Sequence, residues 1–202
     1  MRKTKEEAAI TRKQLLEAAL KVFGRKGYSA ATLEEIASEA GLTRGAIYWH
    51  FDGKEALYKA LVTEKSAGIN QLAEEILAGD GTPREILQRL LLELFRYVEE
   101  NDEYQALLEL AVSKVEVTPG LESIMEETTR GRRLLAKFLA DILRQGIEIG
   151  EFRSDLPVED AAIALVGYLN GLGLIWIQDP EAFSILGRAD ALVDVFFKGI
   201  EA

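Results

Sequence analysis

Cysteine is absent from the 202 residues, and histidine occurs once, at His50. Without cysteine there are no disulfides, no thiolate chemistry and no Cys-based metal site. With a single imidazole, an enzyme would have to draw its acid–base chemistry from carboxylates or lysines alone. The chain offers no paired catalytic groups, phosphate-binding glycine loop or metal-ligand cluster to build on. No catalytic activity, cofactor or metal is therefore expected. Proline is scarce too: Pro83, Pro119, Pro157 and Pro180 all fall where a helix could start. No long alternating stretch suggests a strand, so the expected fold is all-α. No apolar run reaches the roughly eighteen residues of a transmembrane helix; the longest candidate, 161–178, is broken by Tyr168, Asn170 and three glycines. The charged start, Met1 to Glu7, is followed by no apolar signal segment. A cytoplasmic location with no membrane partner is the expectation.

What is present is a soluble composition, 48% apolar and 29% charged, with net charge −10. The charge is unevenly spread. Residues 1–62 carry 11 basic against 8 acidic side chains, a net +3, whereas residues 63–202 carry 13 against 26, a net −13. Gripping a phosphate backbone needs local positive potential rather than a basic average, because charges beyond a Debye length are screened. The length suits one small domain and one of ordinary size, expected at 1–62 and 63–202.

Helical periodicity runs from Thr11 to about Lys26 through Leu16, Leu20 and Phe23, with Thr11 and Gln14 resembling a capping box and Gly27 closing the end. A second helix starts at Thr32 with Glu35 as its capping partner and ends at Gly41. A third runs from Thr43 or Arg44 to His50, and a fourth opens at Asp52-Gly53-Lys54-Glu55, read as another capping box, and continues to about Ala78. After the linker Gly79-Asp80-Gly81, Thr82-Pro83-Arg84-Glu85 starts a helix with Ile86, Leu87, Leu90, Leu91, Leu94 and Val98 inward. The next lies near Asp102 to Val115. Thr118-Pro119 starts a long one carrying Leu135, Phe138, Leu139 and Ile142 and ending near Gly150, and Pro157 and Pro180 mark two more starts. The acidic pairs Glu99-Glu100 and Glu126-Glu127 read as solvated faces.

Residues 32–51 carry the function. Two short helices are separated by a turn of helix-turn-helix length. Ala37 lies where the helices cross, Gly41 can take the positive φ of the turn, and Ile47 packs the second helix onto the first. That second helix is too short and too polar on one side to serve packing alone. Thr43 and Arg44 lie at its N-terminus, facing phosphate and a guanine edge. Gly45 leaves its surface flat for close approach, and Tyr48, Trp49 and His50 offer hydroxyl, indole and imidazole donors. Trp49 has a second reading, as an aromatic packed on the first helix. Lys54 sits in a helical first turn, where the macrodipole disfavours a cation, so an external phosphate accounts for it better than helix stability. Thr32 can donate to phosphate while capping its own helix, and Arg2, Lys3 and Lys5 suit a mobile basic arm.

These residues resemble the DNA-binding domain of the tetracycline-repressor (TetR) family over residues 8–68. The likeness is carried by Phe23, Gly27-Tyr28, Thr32, Ile36-Ala37, Ala40-Gly41, the run Thr43 to Phe51, Lys54 and Leu57. The wording from Arg44 to Phe51, the start from Arg2 to Ala8 and, more loosely, Gly167 to Trp176 with Asp179-Pro180 are similar to the branch that represses multidrug-efflux genes. The resemblance implies about nine helices, an N-terminal three-helix head, homodimerisation through the last two helices (about 157–178 and 181–200), and a central ligand site that lowers operator affinity.

The inward residues Leu91, Leu94, Leu108, Val112, Leu135, Leu139, Val166 and Leu169 read as plain core by spacing alone; the resemblance raises them as pocket lining. Asn170 and Trp176 are polar-tipped residues in an apolar helix, to be satisfied by a ligand or by a dimer partner. Gly167 and Gly171 permit close helix approach, and Phe183, Leu186, Ala189, Leu192, Val193 and Phe196 form a face needing cover; a four-helix dimer interface explains both. The expected function is a repressor that binds a palindromic operator as a dimer and is released by a small hydrophobic effector. Its partners are double-stranded operator DNA, that effector and a second copy of the chain. The rival readings are a ligand-independent architectural DNA-binding protein and an enzyme carrying a vestigial DNA domain.

Overall fold

The apolar periodicity is realised as nine α-helices among the described residues: α1 (Lys5–Ala30), α2 (Leu33–Glu39), α3 (Arg44–His50), α4 (Gly53–Leu77), α5 (Pro83–Glu100), α6 (Asp102–Ser113), α7 (Glu122–Glu148), α8 (Val158–Gln178) and α9 (Ala189–Phe197). A 3-10 turn, Leu186–Arg188, precedes α9, and one isolated β-bridge joins Phe152 and Glu201. The structure, a computed structural model, describes residues 5–113 and 122–202, without the side chains of residues 112, 113 and 123. Arg2 and Lys3, the Thr118-Pro119 helix start and the Val112 side chain lie outside the described residues.

Two compact units result. One comprises the described residues of Met1–Ala67 and Ala106–Ile124, the other those of Gly68–Gln105 and Met125–Ala202. In the first, α1 packs on α2 and α2 on α3. Leu15, Ala19, Phe23, Ile36, Ile47, Leu57 and Leu61 are sealed from solvent at its centre. Phe23, Tyr28 and Tyr58 form an aromatic cluster there, with centroids 5.0–5.6 Å apart.

α1 differs from its expected extent. It is helical from Lys5, so Lys5 belongs to a helix rather than an arm, and Thr11 is a buried mid-helix residue whose hydroxyl donates to the Glu7 carbonyl at 2.8 Å. Glu6 and Glu7 supply the anionic first turn that an N-terminus favours, which carries the start past Thr11. Gly27 does take a positive φ, 78°, but with ψ 165° it kinks the chain instead of closing the helix in a left-handed turn. Thr32 caps α2 as expected. Its hydroxyl accepts from the Glu35 N–H at 3.2 Å, and the Glu35 carboxylate accepts from the Thr32 N–H at 3.1 Å.

In the second unit α5 is the central helix, packed by α8, α9 and the 3-10 turn. Leu87, Leu90 and Leu91 are sealed, as are Leu139, Leu143, Leu165 and Ile185. Thr82 and Glu85 form the second capping box, with Pro83 in the first turn. α7 ends as a Schellman turn: Gly150 has φ 81°, its N–H donates to Ile147, and the Glu151 N–H reaches the Gly146 carbonyl at 2.8 Å. Phe138, which shares the apolar spacing of α7, is 57% exposed.

Two further expectations change here. Pro180 does not start the last helix, which begins only at Ala189 after the 3-10 turn. Nor is Glu99 merely solvated. Its carboxylate accepts the Ser184 hydroxyl at 2.7 Å and the Leu186 N–H at 2.8 Å, anchoring the chain ahead of α9. A contact 87 residues away in sequence thus ties α5 to the turn that precedes α9. Among the described residues α8 is long and apolar enough to cross a membrane, a criterion that the sequence reading discounted for 161–178. Ala162, Leu165, Val166, Trp176 and Ile177 are buried within its own unit, as in a core helix.

Two outcomes follow from the caps and the packing. Lys26, and then the Thr32 backbone and hydroxyl, hold the Glu35 carboxyl below its ordinary value of 4.5. A depressed folded pKa gives stability present above the unfolded value and lost as pH falls through the folded one. The melting-temperature advantage of wild type over Glu35→Ala should accordingly be constant from neutral pH to about pH 5 and shrink in stronger acid. Separately, a Cβ at Gly146 would sit 2.1 Å from the sealed Phe152 ring. Gly146→Ala should cost about 1–3 kcal/mol in denaturant unfolding, by overpacking.

Candidate nucleic-acid interface

A seven-residue helix in water gains too few hydrogen bonds to stand alone, so α3 must be positioned by its neighbours. The turn before it is fixed by the end of α2. Gly41 has φ 66°, the Leu42 N–H donates to the Ala37 carbonyl at 2.8 Å, and the Gly41 N–H donates to Ser38 at 3.0 Å. This is a complete Schellman motif, and no neighbour would touch a Cβ at Gly41. Backbone conformation, not crowding, requires glycine there. Ile36, Ala37 and Ile47 are buried beneath, so α3 has one anchored side.

The other side is open. Thr43, Arg44, Gly45, Tyr48 and Trp49 are all exposed, with Tyr48 at 52% and Trp49 at 69%. Trp49 therefore does not pack into the core; its ring meets His50 edge-on at 4.5 Å. Thr43 occupies the N-cap position of α3, exposed and without a side-chain cap bond. Arg44 Nη2 donates to the Tyr48 hydroxyl at 2.9 Å, and its guanidinium lies 5.5 Å from the Tyr48 ring centroid. The pair is laid along the exposed face as one unit, presenting unused guanidinium donors. Thr32 is exposed and His50 half-buried at the two ends of the motif.

Two acids of α2 are paired, while Glu34, which acts on Arg44 through its charge, forms no salt bridge among the described residues. Arg25 pairs with Glu39 at 2.6 Å, and Lys26 pairs with Glu35. Lys54 has a different setting from the one its sequence position suggested. Its Nζ donates to the carbonyls of Tyr28, Ser29 and Ala31 at 2.9, 3.2 and 3.0 Å and lies 4.6 Å from the Tyr28 ring centroid. Burial pushes its pKa below the ordinary lysine value. Its partners are main-chain carbonyls, which have no side-chain signature in the sequence.

The candidate pocket residues are less uniform. Leu91 and Leu139 are sealed, Leu94, Val166 and Trp176 nearly so, and Leu135 and Leu169 half-buried. Leu108 is half-buried in the other unit. The indole N–H of Trp176 is buried without a hydrogen-bond partner. Asn170 is exposed, and its amide donates to the Val166 carbonyl of its own helix at 2.7 Å. The sequence reading missed Tyr168, whose hydroxyl donates to the Leu192 carbonyl at 2.8 Å and whose ring stacks on Phe196, tying α8 to α9.

A short helix with an anchored apolar side and an open side of arginine, tyrosine, tryptophan and glycine, set on a glycine turn, defines a helix-turn-helix DNA-binding protein. Residues 15–61 match the bacterial regulatory proteins of the tetR family, and residues 82–201 match the C-terminal region of MAATS-type transcriptional repressors. The chain is 33% identical over 195 residues to a probable HTH-type transcriptional regulator, ArpR of Pseudomonas putida, covering 96% of this chain and 93% of that one. It is 32% identical, with the same coverage, to the HTH-type transcriptional regulator TtgR, also of Pseudomonas putida. The crystal structure of NalD, the secondary repressor of the MexAB-OprM multidrug efflux pump in Pseudomonas aeruginosa, superposes with a TM-score of 0.86 at 28% identity, covering 98% of each chain. The chain belongs to the tetR family of bacterial regulatory proteins and is a transcription regulator.

The open face allows a test that separates contact from stability. A Cβ at Gly45 would meet only the Thr43 hydroxyl, at an ordinary 3.8 Å. Gly45→Ala should leave the fold as stable or raise stability by about 0.5 kcal/mol, since alanine is the better helix former. On the expectation that Gly45 faces the groove, its affinity for specific duplex DNA, measured by fluorescence anisotropy, should nevertheless fall, because the added methyl stands on that surface.

Proposed function

We propose that this regulator is a ligand-released repressor that binds a palindromic operator as a homodimer and works in the cytoplasm, with no enzymatic activity. The observation carrying it is the exposed face of α3, with Ile47 buried behind it. Arg44 and Tyr48 read base edges, Gly45 permits the approach, and Thr32, Thr43, Trp49 and His50 donate to phosphate or base. The functional division is a DNA-binding head at 1–62 and a sensing and dimerising body at 63–202. Two heads about one helical turn of DNA apart, roughly 34–36 Å, would occupy the two halves of the operator.

Dimerisation is supported by a stripe along α8 that nothing in its own unit covers. Ile163, Leu174 and Ile175 are exposed, Gly167 and Gly171 lie between them, and a Cβ at either glycine would meet no atom within 4 Å. Val195 of α9 is exposed as well. Asn170, exposed beside this stripe, suits a contact with the second copy better than a ligand. The effector site is assigned, within the second unit, to Leu91, Leu94, Leu135, Leu139, Val166, Leu169 and Trp176. The unpartnered Trp176 N–H favours an apolar effector that carries one acceptor oxygen. An effector binding best to a conformation that spaces the heads wrongly would lower operator affinity by the same factor by which operator lowers effector affinity.

Ile175→Arg should shift the protein towards monomer in sedimentation velocity and reduce affinity for a palindromic site while leaving far-UV circular dichroism unchanged. A protein that stays dimeric and binds fully would remove α8 from the interface. For the effector, apolar compounds that raise the melting temperature should lower operator affinity at fixed salt. Tight binding with no change in operator affinity would defeat the proposed release.

A further inference from the structure

The three hydrogen bonds of Lys54 have consequences for how α3 is aimed. Ala31 immediately precedes Thr32, the N-cap of α2, and Lys54 lies just after Phe51, the C-cap of α3. Bonds from Lys54 to the carbonyls of residues 28, 29 and 31 therefore join the two flanks of the helix-turn-helix and close it into a loop. An ammonium group has three N–H donors, and here all three are used. Two of the acceptors, the Tyr28 and Ser29 carbonyls, belong to the end of α1 beyond the Gly27 kink, and the third, Ala31, to the link into α2. The cation also rests over Tyr28, whose ring packs edge-on against Tyr58 of α4 at 5.0 Å.

We infer that Lys54 is a positioning residue which clamps the start of α2 to the exit of α3 and so fixes the pitch of the reading helix, rather than a ligand of the DNA phosphate. This rests on the reading of α3 as the DNA-contacting element. The two roles differ in their electrostatics. A lysine on phosphate releases a counterion, so its removal lowers the salt dependence of binding and weakens specific and non-specific DNA alike. A clamp acts through orientation. Its removal weakens only the sequence-specific complex and leaves the salt slope intact.

The test uses the full-length protein, a duplex that the wild type selects from a random-sequence pool, and an unrelated duplex. Failure to select any sequence would count against the DNA-reading function itself, not against the clamp. Lys54→Met keeps the stem of the side chain and removes the donors. Its affinity for the selected duplex should fall roughly tenfold or more, as for loss of charged hydrogen bonds, with non-specific affinity and the slope of log affinity against log salt unchanged. A slope reduced by about 0.9, with both duplexes weakened, assigns Lys54 to phosphate and overturns the inference. Unchanged affinity of the folded variant, with only a lower melting temperature, overturns it too. Lys54→Arg sharpens the contrast. A guanidinium serves phosphate well, but its planar fork does not converge on three carbonyls, so the clamp requires loss of specific binding where a phosphate contact requires retention. The wild type supplies a readout independent of variant folding. An internally bonded ammonium should give a slowly exchanging nitrogen-correlated proton signal for Lys54 near neutral pH that persists when the selected duplex is added. Rapid exchange in the free protein, or a signal that moves to phosphate coupling in the complex, overturns the assignment.

Discussion

The burial of Ile47 is the contact on which the reading head depends. A helix as short as α3 has no stability of its own, and its seven residues leave room for a single deeply buried anchor. With that side chain sealed against the first unit's core, the opposite side of the helix is turned outward by geometry alone. Arg44, Gly45, Tyr48 and Trp49 are exposed because Ile47 is not. The Schellman turn at Gly41 then sets the angle at which α3 leaves α2, so an apolar contact and a backbone constraint together fix what is presented to DNA.

Charge is partitioned to match. The N-terminal 62 residues carry a small positive excess and the remainder a large negative one. Acidic side chains beside the reading face, Glu35 and Glu39, are held by Lys26 and Arg25. Exposed pairs of this kind add little to stability; they offset two carboxylates of α2, while Glu34 keeps its charge interaction with Arg44.

Much of the head was legible because its signals are local. The Thr32–Glu35 capping box, the glycine turn and the spacing of Ala37, Gly41 and Ile47 each need only a few residues of context. The body was less legible. Glu99 looks like surface acid in sequence, yet it anchors Ser184 and Leu186 ahead of a last helix that begins only at Ala189. Phe138 shares the apolar period of α7 but lies on its open side, since periodicity finds a stripe and cannot say how wide the covered part is. Thr11 has the chemistry of a cap and sits inside a helix that begins earlier.

Sequence by itself determined the all-α class, the position of the helix-turn-helix, the two capping boxes and the family, because each depends on residue types at short fixed spacings. Tertiary structure alone decided that Trp49 faces outward, that Asn170 is exposed while Trp176 is buried without a partner, and that Lys54 reaches back to three carbonyls at the end of α1. The physical reason is the same in each case. Those outcomes depend on which groups from distant parts of the chain arrive beside a side chain, and main-chain carbonyls in particular leave no mark in the sequence.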